Sequence, residues 1–353
     1  MAPPPSVPFT YFNRVHYLSR KESHDGFTLQ RIWTYQPTKK TASALEIFAN
    51  YVIFPILSSV FLLKNLRKFS TVIVATPPVF ILLIVPLIRL YKKKLVIDVG
   101  DLPVEIYDQQ NSRKYRLVKK SFHNFQIKCW KKADLIVTNS QIIKKEIQKL
   151  VIDPEKITYF PFNVDSNIFR KYDVQRENVI VFTGMISPVQ NLEVFINSMT
   201  IITKKFPDLM FEIYGWGKSE EKIKKLITEL KLQKNCKINK PIKREKIPEI
   251  LSKSIAGLIP LDIHSSLRYL MPTKAFEYMS CGLPIFAYGS SEELEENIQK
   301  SKSGKFVKSN EAEELARSFI EFLNDKNSLE KYSLNGRKFI ENETKYSDLI
   351  NKL

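Results

Sequence analysis

The sequence has few cysteines and none of the familiar phosphate-binding motifs. Its three cysteines, Cys129, Cys236 and Cys281, form neither a disulfide framework nor a metal motif, so a reducing compartment is expected. No Gly-x-Gly-x-x-Gly follows the first strand-like segment and no Walker-type lysine occurs, which argues against the usual phosphate loops. The opening residues, MAPPPSVPFTYF, lack the basic start and apolar core of a signal peptide, so we do not expect secretion.

Acidic residues are scarce relative to basic ones. The chain has 55 lysines and arginines against 37 aspartates and glutamates, which gives a formal net charge of +18. The basic residues are spread through both halves rather than gathered in one tail. This excess favours an anionic partner, either a nucleic acid, a phosphorylated substrate or a membrane surface.

Internal repeats and low-complexity tracts are also missing, and the 353 residues exceed what one ordinary core holds. A hydrophobic share of 44% with 26% charged residues is typical of globular proteins. We therefore predict two domains of about 150 to 200 residues each.

One uncharged run is long enough to suggest a membrane span. Residues 71–88 carry no charge, but Pro77 and Pro78 divide them into a strand and a helix too short to cross a bilayer. Residues 44–66 form a second apolar helix that Pro55 interrupts. We favour a peripheral protein over an integral one, with these helices and residues 92–94, all lysine, lying on an anionic leaflet.

Strand-like and helix-like segments alternate in the N-terminal half. The predicted strands are 27–35, 71–75, 94–99 and 133–140, and the predicted helices are 43–67, 78–91, 114–132 and 141–150. Repeated strand–helix units predict a parallel sheet, which places Thr76, Asp101 and Ser140 on one rim. Ser140 is also a good N-cap for the helix that follows it.

The periodicity lapses between residues 157 and 177, and a second alternating series follows. We predict an N-terminal Rossmann-like domain over 1–165, a linker over 166–177 and a C-terminal Rossmann-like domain over 178–330. Residues 331–353 are expected to form a helix that packs back on the N-terminal domain. The predicted fold class is α/β, with two doubly wound domains facing a cleft.

The segment MPTKAFEYMSCGLPIFAYG places Lys274 and Glu277 at the start of a helix, just before a short apolar strand. A carboxylate there can accept hydrogen bonds from a ribose diol, while cations and helix N-termini receive a diphosphate. The alternative is a solvated lysine and a glutamate whose charge suits the helix dipole. The surrounding sequence is needed to choose between the two.

Several blocks resemble family 4 glycosyltransferases of the GT-B type. FTGMISPVQNLEVFI, EIYGWGKSEEKI, the segment from LIPLDIHSSLR to GSSEELEENI, and SGKFV follow the order and spacing of the C-terminal half of that family. They look most like the subgroup that builds surface polysaccharides and lipid-linked glycans, in which a P-x-K-x-x-E-Y-M block replaces a two-glutamate motif. VIDVGDLPVEIY, ADLIVTNS and DPEKITYFPFNVDSNIF match earlier blocks, so the resemblance covers residues 25–310.

The resemblance implies a set of donor-binding residues. Glu277 would bind the ribose, and Lys274 with Arg268 the diphosphate, helped by backbone amides around Gly184 and Gly217. The chain departs from the family pattern at three positions, because Met185 and Gln190 replace a usual arginine and lysine, and Tyr269 replaces the outer glutamate. Contacts to the transferred sugar are therefore the least defined.

For general-base or acceptor-side chemistry the candidate is Asp101, which follows a predicted strand in DVGDLPVE. Asp98 and Glu105 lie near it in sequence, and His264 lies in a loop near Arg268. The competing interpretation is structural, because an aspartate at a strand end often caps a turn and a lone histidine is often solvated.

We therefore predict an enzyme that moves a sugar from a nucleotide-sugar to a glycan or polyprenyl-linked acceptor with retention. The resemblance implies no metal or other cofactor. The apolar helices and the basic charge favour a peripheral location at the cytoplasmic membrane face, and the dispersed charge without a basic-aromatic motif argues against a nucleic-acid partner. The alternatives are a nucleotide-sugar 2-epimerase and a non-catalytic glycan- or membrane-binding relic. Relative to the family, the first strand of the N-terminal sheet is expected to be missing, since the chain starts at MAPPPS.

Overall fold

The structure, a computed structural model, describes residues 1, 17–35, 44–102, 113–150, 153–161, 164–165, 167–263 and 267–343. The chain divides into two compact units, Met1–Phe160 and Pro161–Leu353. The division falls five residues before the predicted end of the N-terminal domain. Each unit contains its own parallel sheet.

The first unit is built on a four-stranded parallel sheet. Its strands follow one another in sequence order and are β3 (Thr71–Thr76), β4 (Lys94–Val99), β5 (Leu135–Thr138) and β6 (Ile157–Tyr159). Strand β6 lies in the segment where periodicity lapses, and that departure has a physical reason. Ile157 pairs with Ile136 on β5 and is buried, so tertiary pairing makes a strand of a three-residue run that is too short to show a pattern.

The predicted strand 27–35 does not join this sheet, which corrects the expected strand–helix series. Strands β1 (Ser19–His24) and β2 (Phe27–Ile32) instead pair antiparallel with each other around the tight turn at Asp25 and Gly26. Gly26 has φ +84, a conformation that favours glycine and permits this turn. A hairpin needs only local pairing, so it forms apart from the parallel sheet.

Four helices accompany the first sheet among the described residues: α1 (Ala44–Asn65), α2 (Val85–Leu90), α3 (Arg113–Lys131) and α4 (Gln141–Leu150). The predicted helix over 78–91 begins as a 3-10 turn at Val79–Ile84 before α2. Helix α4 has the predicted cap, because Ser140 Oγ accepts a hydrogen bond of 3.1 Å from the Ile143 amide.

The second unit contains a six-stranded parallel sheet in the order β12-β11-β10-β7-β8-β9. The strands are β7 (Glu177–Met185), β8 (Met210–Trp216), β9 (Cys236–Asn239), β10 (Ser254–Pro260), β11 (Ile285–Tyr288) and β12 (Gly304–Val307). The chain runs outward from β7 to β9 and then returns to place β10 on the other side of β7. The sheet is thus doubly wound, with its switch point between β7 and β10.

Seven helices of the second unit complete the described chain: α5 (Leu192–Lys205), α6 (Glu220–Glu229), α7 (Ile247–Lys253), α8 (Thr273–Ser280), α9 (Glu292–Ser301), α10 (Ala312–Asn324) and α11 (Lys326–Glu343). Helix α11 packs on α8 and places Ile340 in the core of this unit. Helix α11 thus belongs to the second unit, and the packing of residues 331–353 on the N-terminal domain stays a prediction.

Two apolar cores cover the two faces of the second sheet. Phe182 on β7 belongs to the core formed with α5 and α10, whereas its neighbour Val181 belongs to the core formed with α8. Phe286 and Ala287 on β11 alternate in the same way. Because both of its faces are buried, strand β11 is a continuous apolar run, as the sequence suggests.

Candidate functional site

The carboxyl ends of β7 and β10 meet at the switch point of the second sheet. Ala256 and Gly257 on β10 pair with Ile180 and Val181 on β7. A doubly wound sheet opens a crevice at such a point, and ligands bind there because the loops diverge. Helix α8, the next helix after β10 in the chain, carries Lys274 and Glu277.

Tyr278 fixes helix α8 against the sheet. Its ring lies on Gly257, where an added Cβ would come within 2.4 Å of the ring, so only glycine lets the helix approach this closely. Its buried Oη accepts a hydrogen bond of 3.0 Å from the Thr183 amide on β7. Tyr278 thus fixes the helix to both strands of the switch point. Lys274 lies one helical turn before Tyr278, and Glu277 lies directly before it.

The ammonium of Lys274 lies against the carboxyl end of strand β7. Its Nζ is 3.9 Å from the centre of the Phe182 ring, and a Cβ added at Gly184 would come within 3.1 Å of it. Burial lowers the pKa of Lys274 to about 7, against the opposing effect of Glu277. The residue as a whole is partly exposed, but the pKa follows the enclosed ammonium, so Lys274 is not the solvated lysine of the alternative interpretation.

The carboxylate of Glu277 is nearly enclosed, with 11% of its side chain exposed. Its Oε1 lies 3.0 Å from a guanidinium nitrogen of Arg244, which begins a 3-10 turn before α7. Burial raises the pKa of Glu277, while Arg244 and then Lys274 oppose that rise. The sequence analysis missed Arg244, because 33 residues separate it from Glu277 and its motif, REK, has no distinctive spacing.

Arg268 and Gly217, two further predicted donor-binding residues, have clear structural contacts. The guanidinium of Arg268 stacks 4.5 Å over the Tyr269 ring, and its carbonyl accepts the Glu292 and Glu293 amides at the start of α9. Gly217 packs on the chain after β7, where an added Cβ would lie 2.0 Å from the Ile186 carbonyl oxygen. These contacts hold the loops around the crevice together, and a role for either residue in donor binding stays a prediction.

A second residue that the sequence did not reveal is Asp262, which follows β10. Its Oδ1 accepts hydrogen bonds from the side-chain amides of Asn191 and Asn310, at 3.1 and 3.0 Å. The three residues come from the loops after β7, β10 and β12. Asp262 therefore ties together the loops at the carboxyl edge of the sheet, a contact between distant segments that no local pattern indicates.

Two of the three positions that depart from the family pattern lie at the end of β7 and in the loop after it. Met185 is 45% exposed, and Gln190 accepts a hydrogen bond from the Ser187 hydroxyl. Neither side chain carries a charge, so Lys274 is the cation that the structure shows closest to the Gly184 backbone.

The predicted rim of the first unit is confirmed. Thr76 on β3 pairs with Val99 on β4, and Val99 pairs with Thr138 on β5, which brings the carboxyl ends of three strands level. Asp101 follows this edge directly. Burial raises the pKa of Asp101 and of Asp98, so both carboxyls are poised above the usual aspartate range. Glu105 and His264 lie outside the described residues.

Within the described part of the chain, no group of three histidine, cysteine, aspartate or glutamate side chains could hold a metal ion. The three cysteines are buried and unpaired.

Comparison with known proteins identifies the second unit most directly. The family model for glycosyl transferases group 1 matches residues 164–339, half of the chain and almost all of the second unit. This range includes the switch point, Arg244 and helix α8. No curated protein sequence matched the chain.

Solved structures share the fold over most of this chain. A mutant of S. aureus TarM, in complex with Fondaparinux, alpha-GlcNAc-glycerol and UDP, superposes with a TM-score of 0.68 at 15% identity and covers 84% of this chain. Anabaena Alr3699/HepE, in complex with UDP and glucose, gives 0.68 at 14% identity over 92% of this chain. Sucrose-phosphate synthase from Thermosynechococcus elongatus gives 0.67 at 14% identity over 88%.

This chain covers different fractions of the lengths of these three proteins. This chain spans 86% of HepE and 78% of the sucrose-phosphate synthase, but only 57% of TarM. The two parallel sheets and their order thus match the GT-B glycosyltransferase fold, which confirms the predicted fold class.

Proposed function

Because this chain belongs to the group 1 glycosyl transferases, nucleotide-sugar-dependent enzymes with the GT-B fold, we propose that it glycosylates a glycan or polyprenyl-linked acceptor with retention at the anomeric carbon. The observation that carries the donor side is the placement of helix α8 at the switch point. It brings a cation and a carboxylate to the crevice where a doubly wound sheet binds its ligand.

In this proposal the donor binds to the second unit. Glu277 accepts hydrogen bonds from the ribose hydroxyls, and Lys274 neutralises the diphosphate next to the Gly184 backbone. A UDP-sugar is the donor class we test first, because the HepE structures contain UDP, UDP with glucose, and UDP-glucose, and the TarM complex contains UDP.

The transfer step forms a bond from the acceptor oxygen to the anomeric carbon and breaks the bond from that carbon to the diphosphate. The nucleoside diphosphate leaves with the bonding electron pair, and the acceptor hydroxyl gives up its proton. We assign that proton to Asp101 on the first unit, because burial raises the pKa of its carboxyl and makes the carboxylate a stronger base than a solvated aspartate. Lys274 stabilises the charge that develops on the departing diphosphate.

Replacing Asp101→Asn is expected to reduce transfer roughly 100- to 10,000-fold, the usual contribution of a general base, without weakening donor binding. Donor binding is spared because the proposed donor residues all lie on the second unit. Transfer is measured with radiolabelled donor and membrane-extracted acceptor, and donor binding by calorimetry. Asp25→Asn, in the exposed turn of the β1–β2 hairpin, is the matched control. Full transfer by Asp101→Asn would remove Asp101 from the proposal.

We also propose that the first unit lies on an anionic membrane at the cytoplasmic face. Among the described residues, one stretch is long and apolar enough to cross a membrane, by length and composition only: Phe48–Lys68, which covers most of helix α1 and the 3-10 turn after it. Only 22% of its apolar window is buried within the molecule. Exposed apolar side chains recur along the helix about every four residues, at Leu45, Phe48, Tyr51, Ile56, Val60 and Leu63.

Basic residues surround the end of that helix. Lys64, Arg67 and Lys68 lie in its last turn and in the 3-10 turn after it. Residues 92–94 are close by, because the Lys94 amide donates to the Ser70 carbonyl and β3 pairs with β4 from Thr71 and Lys94 onward. Each lysine or arginine near an anionic surface contributes about 1 kcal/mol of attraction, which complements the apolar face.

Vesicle co-sedimentation tests this assignment. The protein is expected to bind phosphatidylglycerol-rich vesicles, to bind phosphatidylcholine vesicles weakly, and to be released by high salt. The triple change of Phe48, Ile56 and Val60 to serine is expected to abolish binding, whereas Leu334→Ser, at an exposed position on α11, is not. Retention on cell membranes after a carbonate wash would contradict peripheral binding and indicate a spanning helix.

A further inference from the structure

We infer that Arg244 is a positioning residue for the donor ribose, because it holds the Glu277 carboxylate in place from the side opposite helix α8. The inference rests on the proposed function, in which Glu277 binds the ribose. It assigns a role to a residue outside the motifs that predict the donor site.

The contact between the two side chains is direct. The Arg244 guanidinium lies 3.0 Å from Oε1 of Glu277. Among the described residues, Oε2 of Glu277 has no hydrogen-bond or ion-pair partner. The pair therefore engages one carboxylate oxygen and leaves the other for a hydroxyl of the ligand, while Oε1 retains a second lone pair.

The guanidinium is held on its other side by a fixed ring. Its central carbon lies 4.9 Å over the Phe169 ring, and Phe169 is buried in the core that also contains residues of α8. A planar cation packed on an aromatic face loses little freedom when it pairs with a carboxylate. Arg244 is nevertheless 57% exposed in its side chain, so the contact lies at the surface of the site.

The charges around Glu277 explain why Lys274 alone does not keep its carboxyl ionised. Burial raises the pKa of the Glu277 carboxyl, and among the described residues Arg244 and then Lys274 oppose that rise. Lys274 is itself buried, and the pKa of its ammonium is lowered to about 7. In the part of the chain that the structure describes, the pKa values of Tyr278 and Cys281 also respond to Glu277, and both groups stay neutral because burial raises the pKa of each. Arg244 is therefore the permanent positive charge beside the carboxylate.

Without Arg244 the carboxylate would lose its fixed orientation and take up a proton at a higher pH. A protonated carboxyl accepts ribose hydrogen bonds less well, so binding should weaken further as the pH falls. A residue that only supports the fold would change neither the pH profile nor the preference for ribose.

The experiment compares uridine diphosphate with 2′-deoxyuridine diphosphate by calorimetry, with guanosine and adenosine pairs in parallel. Arg244→Gln is expected to weaken binding of the ribose form at least tenfold at pH 7 and more at pH 6, and to shrink its advantage over the deoxy form. Arg244→Lys should restore part of both. Lys246→Gln, an equal loss of charge in the same exposed turn, should change neither.

A double-mutant cycle isolates the pair. In a Glu277→Gln background, Arg244→Gln should have little further effect on the ribose form, because the carboxylate it positions is gone. Unaltered ribose preference in Arg244→Gln, tighter binding by that variant, or full additivity in the cycle would each overturn the inference while leaving donor binding intact. If the unaltered protein binds none of the diphosphates, the proposed function fails, and the inference fails with it. Circular dichroism melts confirm that each variant is folded.

Discussion

Replacing Glu277→Ala is expected to weaken donor binding by about 100-fold or more and to reduce transfer at least as much. The carboxylate would accept two ribose hydroxyls, and each hydrogen bond to a charged group contributes about 1.5–3 kcal/mol. A loss of about 3 kcal/mol corresponds to roughly two powers of ten in affinity. Calorimetry with a nucleoside diphosphate measures the binding, and a radiolabelled transfer assay measures the turnover.

Loss of the carboxylate should leave the fold largely intact. The partner left behind, Arg244, is more than half exposed, so water can solvate its guanidinium. Glu249→Ala is the matched control, because Glu249 is an exposed glutamate on α7 with its own cationic partner, Lys253. Donor affinity equal to that of the unaltered protein would show that Glu277 is not the ribose-binding group.

Replacing Lys274→Met is expected to separate stability from activity. Transfer should fall roughly 100- to 1,000-fold, because the departing diphosphate loses a preorganised cation. The folded protein should become more stable at pH 7, because methionine fills the space beside Phe182 without the cost of burying a charge. Thermal melts over a pH range and steady-state kinetics measure the two effects.

The sign of the pH dependence follows from the lysine pKa. Its value in the folded protein, about 7, lies below the ordinary lysine value, so the folded state holds fewer protons than the unfolded state between them. Lys274 therefore costs stability in full below about pH 7, and the cost disappears as the pH rises towards the ordinary value. The stability gain of Lys274→Met should shrink accordingly in alkaline buffers.

Donor binding should also draw a proton onto Lys274. An incoming diphosphate favours the charged ammonium, so at pH 8 the unaltered protein should take up a proton when the donor binds. Calorimetry in buffers with different ionisation enthalpies detects that proton, and Lys274→Met should not take it up. Lys300→Met is a matched control, since its exposed ammonium lies 5.4 Å over the Phe339 ring. Equal proton uptake in Lys274→Met would show that the diphosphate does not bind there.

Much of the architecture could be predicted from local sequence. The run 71–76 is apolar or β-branched throughout, and the run 94–99 is so except at Lys94 and Asp98, which identifies both as strands. The helix over Gln141–Leu150 begins and ends where the sequence indicates, because Ser140 supplies its cap. The order of strands and helices also predicted two parallel sheets, since parallel strands need long crossovers.

Other elements were misjudged because pairing, and not local pattern, decides them. The segment 27–35 has strand character, but its partner is β1 across a tight turn, and an antiparallel hairpin has no place in a crossover series. Strand β6 is three residues long, so its identity depends on β5 beside it. Gly217 is a glycine because the Ile186 backbone lies against it, which no spacing in the sequence reveals.

The candidate site divides in the same way. The sequence by itself determined that a lysine and a glutamate stand three residues apart on a helix after a parallel strand, together with the family that this block resembles. Only the tertiary structure decided the pKa values of these two residues and the charges beside them. Burial against the end of strand β7 at Gly184 lowers the pKa of the Lys274 ammonium, and the turn at Arg244 brings a guanidinium to Glu277 from 33 residues away. The burial of a side chain, and its contact with a charge from a distant part of the sequence, both depend on packing between segments. Sequence spacing does not reveal either of them.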